Sequence, residues 1–140
     1  MDTTKVLKRP VFLRLFGLCA TGQPKDKTSW RIGEGTVEVD LTRLPELQQP
    51  ERAVRLEDNA AGIRVLLVKG PDGSFHAYRN ECLHGKRRMD PVPGAETLQC
   101  CSVGHTTYDY DGNPLTNDLD GQLNVYTVEQ RDDALTIKLD

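Results

Sequence analysis

Residues 63–79 read IRVLLVKGPDGSFHAYR, two runs rich in β-branched and aromatic residues joined through Gly70-Pro71-Asp72-Gly73. The proline presets φ and the glycines tolerate the tight backbone of a turn. The flanking residue types suit a pleated, half-buried surface. This stretch predicts a β-hairpin with strands at 63–69 and 74–79. The same pattern continues outward. TVEVDL (36–41) alternates apolar and polar, and LPEL (44–47) reads as a helical turn. Residues 53–56, 98–101, 106–110, 123–128 and 134–139 read as further strands, with turns at Asp111-Gly112-Asn113-Pro114 and Arg131-Asp132-Asp133. Strands recurring roughly every ten residues predict an all-β antiparallel sandwich or small barrel.

The 140 residues suit one domain at roughly 150 residues per domain. A domain of that size buries about two-thirds of its unfolded surface and needs no disulfides to fold. Net charge is −3, which argues against general nucleic-acid binding. The charge is unevenly spread: residues 1–33 hold seven basic and two acidic side chains, and residues 34–140 hold eleven and nineteen. The division expected is a basic N-terminal extension (1–33) and a domain (34–140), with residues 23–29 as a loop between them. Residues 11–20 (VFLRLFGLCA) imitate a signal peptide, but Arg14 interrupts them and the run is far short of the ~20 residues of a membrane span. The segment is read as a strap or strand, and the protein as cytoplasmic with no membrane span.

Cysteine placement carries the chemistry. Of the four cysteines, Cys19 reads as a small buried hydrophobe. Cys82-Leu83-His84 follows the predicted strand 74–79, and Cys101-Ser102-Val103-Gly104-His105 follows Leu98-Gln99, with sixteen residues between His84 and Cys101. Each loop offers one thiolate and one imidazole, and two such loops side by side make a Cys₂His₂ pocket. Zinc accepts that donor set. So does a [2Fe–2S] cluster with two cysteines on one iron and two histidines on the other. Neutral imidazoles in place of two thiolates make the cluster less negative, so an added electron costs less and the potential rises into a range of about −150 to +300 mV. His76 alternates with Phe75 and Ala77 and is read as facing solvent or a neighbouring loop.

Residues 34–140 resemble a Rieske-type ferredoxin domain, in order along the stretch. The resemblance runs through Asp40-Leu41 and Leu44-Pro45, then Phe75-His76-Ala77 and Asn80-Glu81-Cys82-Leu83-His84-Gly85. It continues with Leu98-Gln99-Cys100-Cys101 leading to His105, Tyr108-Asp109 and Gly112, and closes on Leu123, Tyr126, Val128 and Leu135-Thr136-Ile137. It implies a β-sandwich or barrel carrying a cluster-binding subdomain of two loops. The implied metal ligands of a [2Fe–2S] cluster are Cys82, His84, Cys101 and His105. The second loop departs from the usual Cys-x-x-His: Cys101 leaves three intervening residues and Cys100 four. Cys101 is preferred for the shorter bend, with Cys100 as the alternative.

Thr106 and Tyr108 occupy positions where high-potential members place hydroxyls that donate to cluster sulfur. The disulfide bracing the loops in cytochrome bc-type members has no counterpart, because the first loop continues as Lys86-Arg87-Arg88. Those three cations are candidates for docking an acidic redox partner. The implied function is a soluble carrier of one electron between a reductase and an acceptor enzyme such as an oxygenase, itself no enzyme. The alternative is an accessory small subunit of a reductase, similar to nitrite reductase small subunits, with a degenerate or absent cluster.

Overall fold

The computed structural model describes residues 21–83, 88–92, 94–100, 106–115 and 121–139. Cys19, His84, Lys86, Arg87, Pro93, Cys101 and His105 lie outside the described residues, as does the 11–20 run.

Ten strands are described: β1 (Trp30–Ile32), β2 (Thr36–Asp40), β3 (Ala53–Asp58), β4 (Ile63–Lys69), β5 (Phe75–Arg79), β6 (Met89–Val92), β7 (Thr97–Cys100), β8 (Thr107–Asp109), β9 (Val125–Arg131) and β10 (Ala134–Lys138). They form a seven-stranded sheet in the order β1-β2-β10-β9-β5-β4-β3 and a three-stranded sheet in the order β6-β7-β8. Every strand pairing is antiparallel. The all-β expectation holds, with one large antiparallel sheet and a second small one.

Alternation explains the large sheet. In β2, Val37 and Val39 are buried while Thr36, Glu38 and Asp40 stay partly exposed. β10 repeats the pattern with Leu135 and Ile137, in a register that sets Ile137 opposite Val37 and Leu135 opposite Val39. These four join Val54, Leu56, Val65, Leu67 and Ala77 in one core, capped by Leu44, which links the short 3-10 turns Leu41–Arg43 and Pro45–Leu47, and by Leu47 at the end of the second.

β4 behaves differently. Its residues 65–68 (VLLV) are all buried. Successive side chains of a strand point to opposite faces, so an unbroken apolar run means that both faces are covered. Val65 and Leu67 enter the first core. Leu66 and Val68 enter a second one with Tyr78, Cys82, Met89, Leu98, Cys100, Tyr108 and Leu123. β5 divides likewise, Ala77 to the first core and Tyr78 to the second. This shared pair of strands fastens the small sheet to the large one.

Two strands escape the pattern reading. β1 is only three residues long, and pairs Trp30 with Val39 at the sheet edge. β6 (MDPV) contains Pro91, which removes a ladder donor. A proline is tolerated because β6 is an edge strand of the small sheet. β9 begins at Val125, two residues beyond the expected start, and runs to Arg131.

Candidate metal centre

The first loop leaves the end of β5 at a fixed neck. Asn80, fully buried, donates its backbone N–H to the Arg64 carbonyl at 2.8 Å. Its side-chain Oδ1 accepts from the Met89 N–H at 2.8 Å, where β6 begins. One side chain thus joins the two ends of the segment that carries Cys82 and His84. Among the described residues, buried Asn80 Nδ2 has no hydrogen-bond partner. Asn80→Ala deletes the acceptor for a buried backbone donor, a loss of about 1–3 kcal/mol. Urea unfolding of the metal-free protein measures that destabilisation.

Cys82 is buried at 2% exposure, whereas the next residue, Leu83, is 39% exposed. The chain emerges at the surface within one residue of the thiol. Tyr108, fully buried on β8, reaches across to this loop. Its Oη lies 3.2 Å from Cys82 Sγ and accepts from the Leu83 N–H at 3.1 Å. With the oxygen accepting from the backbone, the phenolic proton is available for the sulfur. Burial first, and then the bond to Cys82, push the Tyr108 phenol above its ordinary range, so it remains a proton-bearing donor at working pH. A phenolic O–H aimed at sulfur favours the thiolate, the form that binds metal.

A turn behind β8 keeps Tyr108 in place. Asp109 Oδ1 accepts from the backbone of Asp111 at 3.0 Å and Asn113 at 2.8 Å. The chain then doubles back, bridging Pro114 to Tyr108, with Leu115 N–H on the Thr107 carbonyl at 2.7 Å. Gly112, at φ +87°, is required there, because a Cβ would stand 3.0 Å from the Leu123 carbonyl oxygen.

The structure brings Cys82, Cys100 and Tyr108 into one core. Cys100 ends β7 fully buried, and its N–H donates to the Thr106 carbonyl at 2.7 Å. Thr106 is itself buried beside the start of β8. Arg88 makes a two-pronged ion pair with Glu57 at 2.6 and 3.0 Å. His76 Nε2 lies 3.2 Å from Ser74 Oγ, and its ring packs on that of Tyr110 at 4.6 Å between centroids. Among the described residues, no three His, Cys, Asp or Glu side chains form a metal-holding group. Of the four preferred ligands, Cys82 alone is described.

The residues present fit an electron-rich, sulfur-containing group. A buried thiol lies within hydrogen-bond distance of a phenolic hydroxyl, and an amide donor with no partner among the described residues stands two residues away in the sequence. Asn80 belongs to the motif that carries the resemblance, but its bridging role was not read from it. Glu57 has no local signal at all.

No family model and no curated protein matches this chain. Solved structures do. The ferredoxin of carbazole 1,9a-dioxygenase from Nocardioides aromaticivorans IC177 matches 73% of this chain and 94% of its own, at 17% identity and TM-score 0.57. The quaternary ammonium Rieske monooxygenase CntA, in complex with gamma-butyrobetaine, matches 68% of this chain at 19% identity and TM-score 0.54. The matched part spans only 30% of CntA's length. The plasma membrane Rieske protein PetC3 from Synechocystis PCC 6803 matches 61% of this chain and 85% of its own, at 15% identity and TM-score 0.50. The fold is that of a Rieske domain.

Proposed function

We propose that this Rieske-fold chain is a one-electron carrier, holding a [2Fe–2S] cluster and passing electrons between a reductase and an acceptor such as an oxygenase. The ligands in this reading are Cys82, His84, Cys101 and His105, with Cys100 as the alternative to Cys101. The observation that carries it is the Tyr108 hydroxyl on the Cys82 sulfur. A buried phenol donor on a thiol beside a surface-exposed loop residue is what a centre needs if it is shielded from water yet close to a partner.

When bound, the cluster would store one electron. The chain's own residues do the rest. Tyr108 donates to sulfur and thereby favours the reduced, more negative state; Thr106 is proposed to do the same. Asn80 fixes the loop neck, and the second core excludes water. Lys86 and Arg87 supply positive charge for docking an acidic partner face.

Two further observations support a carrier. The match extends over 94% of a dioxygenase ferredoxin, and another solved structure with this fold is a complex of reduced oxygenase and oxidized ferredoxin in carbazole 1,9a-dioxygenase, at 18% identity and TM-score 0.53. No helix among the described residues is long and apolar enough to cross a membrane. A cytoplasmic setting belongs to the same reading, since thiols stay reduced there.

The test is anaerobic purification with iron, sulfide and zinc analysis, followed by EPR of the dithionite-reduced protein. The expected result is a red-brown protein with two irons and two sulfides per chain and a spectrum of mixed His/Cys ligation. A colourless protein holding one zinc per chain overturns the reading.

A further inference from the structure

A continuous polar chain runs from the N-terminal segment to the end of the first loop. Thr21 N–H donates to Asp90 Oδ1 at 2.8 Å, and Asp90 is buried on β6. The Thr21 carbonyl accepts from Arg55 Nε at 2.8 Å, while Arg55 N–H donates to the Gly22 carbonyl at 2.9 Å. Arg55 Nη1 then meets Glu57 Oε1 at 3.1 Å. Glu57 in turn accepts both prongs of Arg88, the residue immediately before β6, at 2.6 and 3.0 Å. The Glu57 side chain is only 8% exposed. Arg55 and Glu57 lie on the same side of edge strand β3, two residues apart, while Val54 and Leu56 fill the core on the other.

Each part of this chain has a reason to be where it is. Burial by itself would raise the Glu57 carboxyl, but the Arg88 hydrogen bonds and the charges of Arg55, Arg88 and Arg64 outweigh it and hold Glu57 below the ordinary glutamate range. It is an anion at neutral pH, gripped from two directions. A planar guanidinium forked on a carboxylate fixes orientation as well as distance. The first loop offers no second cysteine through which a disulfide could brace it.

We propose that Glu57 is a positioning residue for the metal-binding loop: through Arg88 it ties the far end of that loop to β3, and Arg55 extends the tie to the N-terminal segment. This rests on the proposed cluster reading. Asn80 closes the loop neck locally; Glu57 fixes the neck relative to the large sheet. Arg88 then acts as a clamp, and docking charge is left to Lys86 and Arg87.

The test compares wild type with Glu57→Gln, Arg88→Lys, the double variant Glu57→Gln/Arg88→Lys, and Glu38→Gln. The last breaks the exposed Arg31–Glu38 pair between β1 and β2 and serves as a control. All are studied well below their melting temperatures. Iron removal by a chelator is timed on loaded protein, and EPR line shapes of the reduced protein are recorded. On metal-free protein, the alkylation rate at Cys82 is followed by peptide mass spectrometry.

Glu57→Gln is expected to speed iron loss and Cys82 alkylation by about tenfold, between the effects of an exposed and a buried ion pair. Its EPR features should broaden as the loop samples several positions. Arg88→Lys keeps the charge but loses the fork, so its rates fall between. The double variant should be no worse than Glu57→Gln, because the two residues act as one unit. Rates and line shapes equal to wild type in Glu57→Gln, or equal changes in Glu38→Gln, overturn the proposal. A wild type that binds no iron overturns the cluster reading instead, and Cys82 alkylation still decides the clamp.

Discussion

Cys82→Ser is expected to fold and to bind no iron–sulfur cluster, falling from two irons per chain to none. Thiolate is a soft, anionic ligand, whereas a serine hydroxyl is hard and stays protonated at neutral pH. The substitution itself is mild for the fold. Serine is slightly smaller, and its hydroxyl can keep the contact with Tyr108 that Cys82 Sγ makes at 3.2 Å. Iron analysis and circular dichroism on one sample separate loss of metal from loss of structure. A Cys82→Ser protein with full iron and an unchanged spectrum would remove Cys82 from the ligand set.

The same pair of measurements decides between the vicinal cysteines. Cys100 is fully buried with Leu98, Met89 and Tyr108. If Cys101 is the ligand, Cys100→Ser should cost about 1–3 kcal/mol of stability, as an apolar site receives a hydroxyl, with its spectrum preserved. Cys101→Ser should then lose the cluster. The reverse outcome makes Cys100 the ligand, with four residues before His105.

The second large effect concerns the reduction potential. Tyr108→Phe should lower it by about 40 mV, taking about 1 kcal/mol as the difference one hydrogen bond makes between redox states and about 59 mV per tenfold change for a one-electron couple. The sign follows from charge. The reduced centre carries one more electron, so the donor at sulfur stabilises it more than the oxidised one. Phenylalanine retains the ring that fills the second core, so packing contributes little. It also leaves the Leu83 N–H without its acceptor, which now lies 3.1 Å away. Protein-film voltammetry on the two proteins measures the difference. An unchanged midpoint would show that the hydroxyl does not act on the redox centre.

Much of the sheet was legible because strand formation is a local pattern. TVEVD and ALTIK bury every second residue, and each predicts its own buried face without reference to the other. The hairpin at 63–79 was equally plain, since Gly70-Pro71-Asp72-Gly73 marks its turn and the strands of β4 and β5 flank it. β6 was not legible. Four residues with a proline show no period, and only their pairing with β7 makes them a strand. The buried run in β4 announced two covered faces but not what would cover them.

The candidate site divides the same way. Cys82-Leu83-His84 sets thiol and imidazole one residue apart, so they are neighbours by sequence alone, and Tyr108 was singled out through the resemblance. That its hydroxyl reaches Cys82, twenty-six residues earlier, depends on β8 pairing with β7 in the small sheet. Glu57 carried no mark in the sequence. It alternates along β3 like any solvent-facing residue, and nothing nearby predicts the arginine thirty-one residues away that grips it. Short-range periodicity and spacing determined the strands, the hairpin and the donor set offered by the candidate loop, because those are set within a few residues of the chain. Tertiary structure alone decided the donor on the Cys82 sulfur, the closed loop neck and the Glu57–Arg88 pair. Each joins segments far apart in the chain, and which partners meet is settled only when the two cores pack against β4 and β5.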